Sequence, residues 1–520
     1  MVRDYGKHGD TYAQWGGSTY TVITRDPSNL RAMLSSNSKC NIASFCGLKE
    51  ANVIPAFEVG SARHGCVRPL ISDGIFTQDG SKWKASRKLL APMIQRPTLP
   101  DLSLFERHFQ QLHKSMSTSA GSLDMEPGIN MKELLLDSSL KMMTKFLLGE
   151  SADPAATTLE AAEWKKEFTT EFNTAFNWIS KRERFKSFYW LIDGLQFRKS
   201  CSAAKMLVDE LVCRAMELRK MEKPYSAPSE TYVALESSLL HEPDPEPIRD
   251  QFMNLLLAGR DSSGSLLCWI FYALAREPQL AVDITEELEN IVGLDKSRKP
   301  DKKQLDAMLK LDRFICEGEV SKSSDTMSLW QTADMFVVEV LRLFPPVPLN
   351  GRFSTCETYL PRGGGEHGEA PILIPRGTLV AFSTFATQRS QHSYGQDANK
   401  FRAERWDDDF IEGRITAGWS YHPFLGGPRK CLGGESTATC HVSHLRLLIT
   451  LLLIERFAIT QAKYLTCRML QHYKQIIATD DAGNALAFRP DGLWVDDVKY
   501  DVGLTMMPEG GVWLRFVPRT

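Results

Sequence analysis

The chain lacks an apolar run long enough to cross a bilayer: its longest candidate, residues 447–454, falls far short of the 18 or more that a spanning helix needs. The opening Met-Val-Arg-Asp-Tyr-Gly-Lys is not a secretory signal either, having no apolar core, so any membrane contact is expected to be peripheral. Neither sign of charge is in excess. With 62 Lys and Arg against 64 Asp and Glu, the chain carries no footprint for a nucleic-acid or polyanion partner. Its 11 cysteines form no CxxC pair and no even framework, which points to a reducing, intracellular compartment.

What is present is enough chain, 520 residues, for a large core and one to three domains. Residues 18–35 read as a short strand, Ser18-Thr-Tyr-Thr-Val-Ile-Thr-Arg25, then Asp-Pro and a helix. Residues 71–95 place Trp83 and Arg87 one helical turn apart, so that an indole N–H and a guanidinium can converge on one anion. Lys82, Lys84 and Lys88 make the same helix basic; a solvated charge run is the plain explanation and a docking face for an acidic electron donor the sharper one. Residues 100–220 follow as a series of amphipathic helical patterns, read first as core packing.

A proline cluster then introduces a helix predicted over 249–276. Its apolar positions keep helical period on both sides of an odd centre, Ala258-Gly259-Arg260-Asp261-Ser262-Ser263-Gly264. Interior glycines cost a helix about 1 kcal/mol each relative to alanine, so the centre needs a reason beyond packing, although a kinked core helix would also produce it. Further on, Glu339 and Arg342 lie one turn apart, ahead of Leu-Phe-Pro345, which ends the helix. Residues 360–381 read as a strand, a glycine-rich turn, then a hairpin through Pro375-Arg-Gly377.

The densest chemistry sits near the C-terminal end, in Phe424-Leu-Gly-Gly-Pro-Arg-Lys-Cys431-Leu-Gly433. A cysteine in a turn beside Arg429 and Lys430 is placed to expose a thiolate. Glycines 426, 427 and 433 let backbone approach something flat and large. A buried structural thiol would explain neither the glycines nor Arg429. The nearby Cys440, His441 and His444 create a Cx8CHxxH spacing with Cys431 that fits no zinc module.

The pattern FxxGxRxCxG, formed by Phe424, Gly427, Arg429, Cys431 and Gly433, resembles the cysteine-ligand loop of the cytochrome P450 family, the haem-thiolate monooxygenases. Four further motifs resemble that family's in order. The Trp83/Arg87 pair resembles its propionate-holding WxxxR, and 258–264 its oxygen-activation segment AGx(D/E)TT, with Ser262 where threonine is usual. Glu339 and Arg342 stand as its ExxR, with Arg352 where a propionate-binding arginine often lies. Phe401-Arg-Ala-Glu-Arg405-Trp406 stands where the third arginine of a buried triad is found, with Ala403 in place of proline. The wording around 347–350 and 360–381 looks most like the fungal n-alkane and fatty-acid hydroxylase branch.

The resemblance implies a mainly α fold with a smaller β region, a single catalytic domain over 1–520, and haem b held through Cys431 as the axial ligand of the iron. It implies proton delivery by Asp261 and Ser262, and dioxygen admitted beside Gly259. Electrons would come from NADPH through a reductase, and a small hydrophobic substrate would be hydroxylated by O2 at the cytosolic face of the endoplasmic reticulum. Relative to the family the chain is expected to lack an N-terminal anchor and the earlier opening strands, and to carry insertions at 317–335 and 435–454. The second insertion separates the cysteine loop from a helix that starts near Glu455, which leaves two other readings open: a catalytically silent haem protein, and a peroxide-using haem-thiolate enzyme that needs no reductase.

Overall fold

The computed structural model describes residues 2–16, 19–35, 55–94, 102–120, 128–152, 159–221, 244–308, 335–403, 405, 419–432, 456–489 and 492–519. Its described residues form two compact units, one of Met1–Phe57, Asp101–Ser138 and Ser262–Thr520, the other of Glu58–Pro100 and Ser139–Asp261. Helices dominate both, with the strands concentrated in the first.

In the first unit the strands Thr11–Gly16 and Thr19–Thr24 pair antiparallel, the second lies parallel to Leu379–Phe382, and that strand pairs antiparallel with Asn350–Ser354. The expected strand at 18–25 is therefore present, and so is an opening strand before it that the sequence reading left out. Helix Pro27–Leu34 starts two residues ahead of the helical pattern read from Asn29, because Asp26 caps it, its carboxylate accepting from the N–H groups of Ser28 (2.8 Å) and Asn29 (3.1 Å). Val22, Leu30, Leu34, Leu360, Val380 and Phe382 form the core between helix and sheet.

Strands Thr358–Gly364 and Ala370–Ile374 pair with each other, so the hairpin turns at the glycine-rich 365–369. The expected hairpin through Pro375-Arg-Gly377 is corrected: this turn carries the chain from one sheet to another, Ala370–Ile374 pairing with Thr358–Gly364 and Leu379–Phe382 with its own neighbours. Helix Arg456–His472 is buried along most of its length, and the closing strand Trp513–Pro518 pairs with Tyr473–Ala478 and Ile129–Asn130. Inside that packing Tyr464 donates to Glu106 (2.7 Å) and Arg468 lies 2.9 Å from the same carboxylate.

The second unit is helical. Its helices include Ser61–Ile71, Gly80–Ile94, Leu159–Arg184 and Leu195–Met221; Arg182, a buried guanidinium on the third, donates to the carbonyls of Cys66 (2.9 Å), Gly65 (3.1 Å) and Ile192 (2.6 Å) and faces the Phe197 ring, tying it to the first and fourth. Three carbonyls take the donors of the cation, and the Asp193 carboxylate lies 3.7 Å from Nη1, which orders the chain around it. The long helix runs Pro245–Arg276, four residues longer at its start than the apolar period suggested, because prolines suit a first turn whose N–H groups need no partner. Of the two expected insertions, 435–454 lies outside the described residues, as does 317–335 except Met335, the first residue of helix Met335–Leu343.

Candidate active site

The cysteine loop, within the first unit, is a tight turn built on two backbone constraints. The Leu425 N–H donates to the His422 carbonyl and the Cys431 N–H to the Phe424 carbonyl, each at 3.0 Å, closing the segment on itself around the short 3-10 turn Gly427–Arg429. Gly427 has φ +71°, and a Cβ there would collide with the Leu34 carbonyl, while a Cβ on Gly426 would collide with the Trp419 ring. The flat neighbour of Gly426 is thus the protein's own indole, and Gly427 makes room for the end of helix Pro27–Leu34. The sequence reading assigned both glycines to an approaching ligand; the loop itself needs them. Gly433 lies outside the described residues.

The turn spends the Cys431 amide on Phe424 and leaves the side chain exposed. Cys66, Cys201, Cys268 and Cys467 are in the opposite situation: all are buried, and burial pushes each thiol up to about 12, where it stays protonated and inert. An exposed sulfur next to Arg429 and Lys430, at the end of a closed turn, is a donor that fits a thiophilic iron. The cysteine ligand of the haem-thiolate reading is therefore compatible with the residues present.

Glu339, Arg342 and Arg405 do come together, all three completely buried. Arg342 clasps Glu339 with both Nε and Nη2 at 2.7 Å, and Arg405 stands 3.7 Å from the same carboxylate. The remaining donors of Arg342 go to the carbonyls of Gln388 (2.9 Å), Ala398 (2.7 Å) and Lys400 (3.1 Å). Arg405 donates to Asp397 Oδ1 (2.8 Å) and to the carbonyls of Tyr394 and Asp397, each at 2.9 Å. Desolvation pushes the Glu339 carboxyl up, but the two arginines overcome it and hold the group below the usual carboxylate range.

Gln388, which the sequence reading missed, joins this cluster to the cysteine loop. Its Nε2 donates to the carbonyls of Leu341 and Arg342, each at 3.0 Å, and its Oε1 accepts from the His422 N–H at 2.9 Å. No local pattern could have revealed it, since all three partners, Leu341, Arg342 and His422, are remote in sequence. Beside it the His422 ring is buried, and desolvation lowers its pKa to about 4, keeping it neutral. Arg352 is also buried, on strand Asn350–Ser354, where Nη1 donates to Asn350 Oδ1 (3.0 Å) and the Gly351 carbonyl (2.8 Å).

In the second unit the expected Trp83 and Arg87 share a helix face, the guanidinium carbon lying 5.6 Å from the indole centroid, and Lys82, Lys84 and Lys88 are exposed. The odd centre of the long helix is continuous helix. A Cβ on Gly259 would strike Met143, so this glycine also has a packing reason. Asp261 is buried and ion-paired with Arg260, whose other terminal nitrogen donates to Asn173. Neither Arg260 nor Asn173 was singled out from sequence, because a helix motif read along one chain does not show what packs across it. Ser262, the first residue of the other unit's share of the helix, is partly buried.

The cytochrome P450 family model matches residues 52–318 and 320–485. The chain belongs to the cytochrome P450 family. Among curated relatives, cytochrome P450 52A1 of Candida tropicalis is 33% identical, over 87% of this chain and 72% of its own length. Cytochrome P450 52A5 of Candida maltosa is 31% identical over 88% and 75%, and cytochrome P450 monooxygenase g430 of a Fusarium species 31% identical over 92% and 74%. Membership makes the chain a haem-thiolate monooxygenase for hydrophobic substrates, mainly α with a smaller β region, and the silent-protein alternative gains no support from these matches. No described helix is long and apolar enough to cross a membrane.

Proposed function

We propose that this cytochrome P450 hydroxylates a long-chain alkane or fatty acid, with Cys431 as the residue that would hold the haem iron and electrons supplied from NADPH through a reductase. The observation that carries the ligand assignment is the contrast among cysteines: Cys431 is exposed at the end of a closed turn beside Arg429 and Lys430, Cys66, Cys201, Cys268 and Cys467 are buried, and Cys213, also exposed, sits within helix Leu195–Met221 with no such turn. When bound, the haem supplies thiolate-ligated iron, whose electron-rich character favours O–O cleavage. The overall conversion is RH + O2 + 2e⁻ + 2H⁺ to ROH + H2O, so the protein must deliver two protons and keep bulk water out.

The chain's own residues divide that work. The closed turn fixes the direction of the Cys431 sulfur, and Gln388 ties the turn to the Glu339 cluster. Phe424, Gly427, Arg429 and Gly433 complete the thiol turn, while Trp83, Arg87 and Arg352 are assigned to the haem propionates through their donor N–H groups. Asp261 and the Ser262 hydroxyl would hold and relay the protons that the reaction consumes, with Gly259 beside them; serine keeps donor and acceptor but lacks the methyl that would restrict its rotamer. Glu339, Arg342 and Arg405 hold the fold around the site. The alkane or fatty-acid class rests on the similarity to the fungal 52A relatives. On the same ground we place the protein at the cytosolic face of the endoplasmic reticulum as one catalytic domain, with 317–335 and 435–454 as insertions.

The test is a reduced, carbon-monoxide difference spectrum of the purified chain, followed by product analysis with hexadecane and palmitate. A red-shifted thiolate Soret band, abolished in Cys431→Ala, and a hydroxylated product are the expected results. A band typical of nitrogen ligation, or one that survives Cys431→Ala, overturns the ligand assignment; turnover sustained by peroxide alone and never by the reductase overturns the electron route.

A further inference from the structure

The Arg260–Asp261 pair is a closed, buried ion pair in which both partners keep a polar atom without a hydrogen bond among the described residues. Arg260 is 5% exposed and Asp261 3%, and they bond through one guanidinium nitrogen and Oδ1. The second terminal nitrogen of Arg260 donates to Asn173 Oδ1 on helix Leu159–Arg184, and the guanidinium carbon lies 5.9 Å from the Phe172 ring centre and 5.7 Å from that of Phe176. The cation is thus held on three sides by a helix other than its own. What remains are Arg260 Nε, a donor, and Asp261 Oδ2, an acceptor, both buried and both without a hydrogen-bond partner among the described residues.

Leaving such atoms dry is costly, and one donor with one acceptor on neighbouring side chains is the complement of a water molecule. The chemistry of the two partners differs in a way that matters. A guanidinium does not release its proton, whereas a carboxylate exchanges one readily. With Oδ1 committed to Arg260, proton traffic through Asp261 has a single exit, Oδ2.

We propose that Arg260 is a positioning residue for proton delivery: anchored by Asn173 and two phenylalanine faces, it fixes Asp261 so that only Oδ2, with an internal water, passes protons on. This deepens the monooxygenase reading above and rests on Asp261 serving as the proton relay. It assigns roles to Arg260 and Asn173, neither of which carries a proton itself. Burial pushes the Asp261 carboxyl up and the arginine charge opposes that shift, so removal of the charge should favour the protonated acid.

The test uses the full chain. Infrared spectra of the resting protein at neutral pH report the protonated-carboxyl stretch of Asp261, assigned by its loss in Asp261→Asn. Arg260→Gln is expected to increase that band, while Arg260→Lys, which keeps the charge but not the fork, leaves it near the parent level. The solvent isotope effect on palmitate turnover should rise about two-fold or more in Arg260→Gln, Arg260→Lys and Asn173→Ala alike, because each loosens the carboxylate. An unchanged band and an unchanged isotope effect in Arg260→Gln overturn the proposal. If that variant does not take up haem, Asn173→Ala decides: a parent-like isotope effect there overturns it equally. Absence of a thiolate carbon-monoxide band in the parent protein would instead sink the functional reading, and the infrared comparison would still report on the pair.

Discussion

Arg342 and Arg260 both carry a charge out of water beside a carboxylate, yet the two surroundings differ in completeness. Every nitrogen of Arg342 has a destination, in Glu339 or in the carbonyls of Gln388, Ala398 and Lys400. Arg260 has Asp261, Asn173 and aromatic faces, and its Nε has no hydrogen-bond partner among the described residues. The first arrangement is rigid because any movement breaks several bonds at once. The second keeps a donor and an acceptor in reserve, which suits a group that must change partners during a reaction. Two buried ion pairs in one chain therefore do different things, and the number of satisfied atoms separates them better than burial does.

That distinction can be broken most directly by removing the arginines. Arg342→Ala leaves Glu339 charged and buried and should cost about 3–5 kcal/mol or more, seen as loss of the folded, haem-binding protein in a melt or spectrum. Arg260→Gln should cost less, about 1–3 kcal/mol, because Asp261 can protonate instead of remaining a bare charge. If thermal melts place the two variants level, the contrast is wrong.

Acid should separate them by sign. The folded-state pKa of Glu339 is depressed from 4.5, so its contribution is present above about 4.5 and lost as pH falls through the folded value. That of Asp261 is raised from 3.8, so its contribution is fully present below about 3.8 and declines as pH rises toward the folded value. Asp261→Asn should therefore gain stability relative to the parent as pH rises from acid toward neutral, whereas Glu339→Gln should lose ground over the same range; urea melts across pH measure both. The smallest effect belongs to the double replacement Arg260→Met with Asp261→Leu, expected within about 1 kcal/mol of the parent because a packed apolar pair replaces a buried ionic one at little cost. Denaturant midpoints would show it, and a loss as large as that of Arg342→Ala would contradict it.

The sequence was most readable where chemistry is local. Helical period located the long helix, Asp26 located the start of Pro27–Leu34, and the i, i+3 spacing put Glu339 and Arg342 on one face. Arg405 was legible only through resemblance, and Asp397, Gln388 and Asn173 not at all, since each acts through a partner brought close by the fold. The strand Thr11–Gly16 was missed although Gly16-Gly17 between two strand-like runs is a usable turn signal. Pro375-Arg-Gly377 misled for the complementary reason: turn residues announce a reversal of direction but not which strand receives the next one.

The seat that Gly427 takes against the Leu34 carbonyl has a consequence for the order of events during synthesis. A contact between helix Pro27–Leu34 and the turn Gly427–Arg429 is strongly non-local in sequence. Helix Pro27–Leu34 leaves the ribosome well before the thiol turn and must wait, while the turn cannot settle against it until residues 427–429 have emerged. Cofactor capture at Cys431 is then a late, essentially post-translational event, and lesions in residues 27–34 should surface as failed haem loading at the far end of the chain.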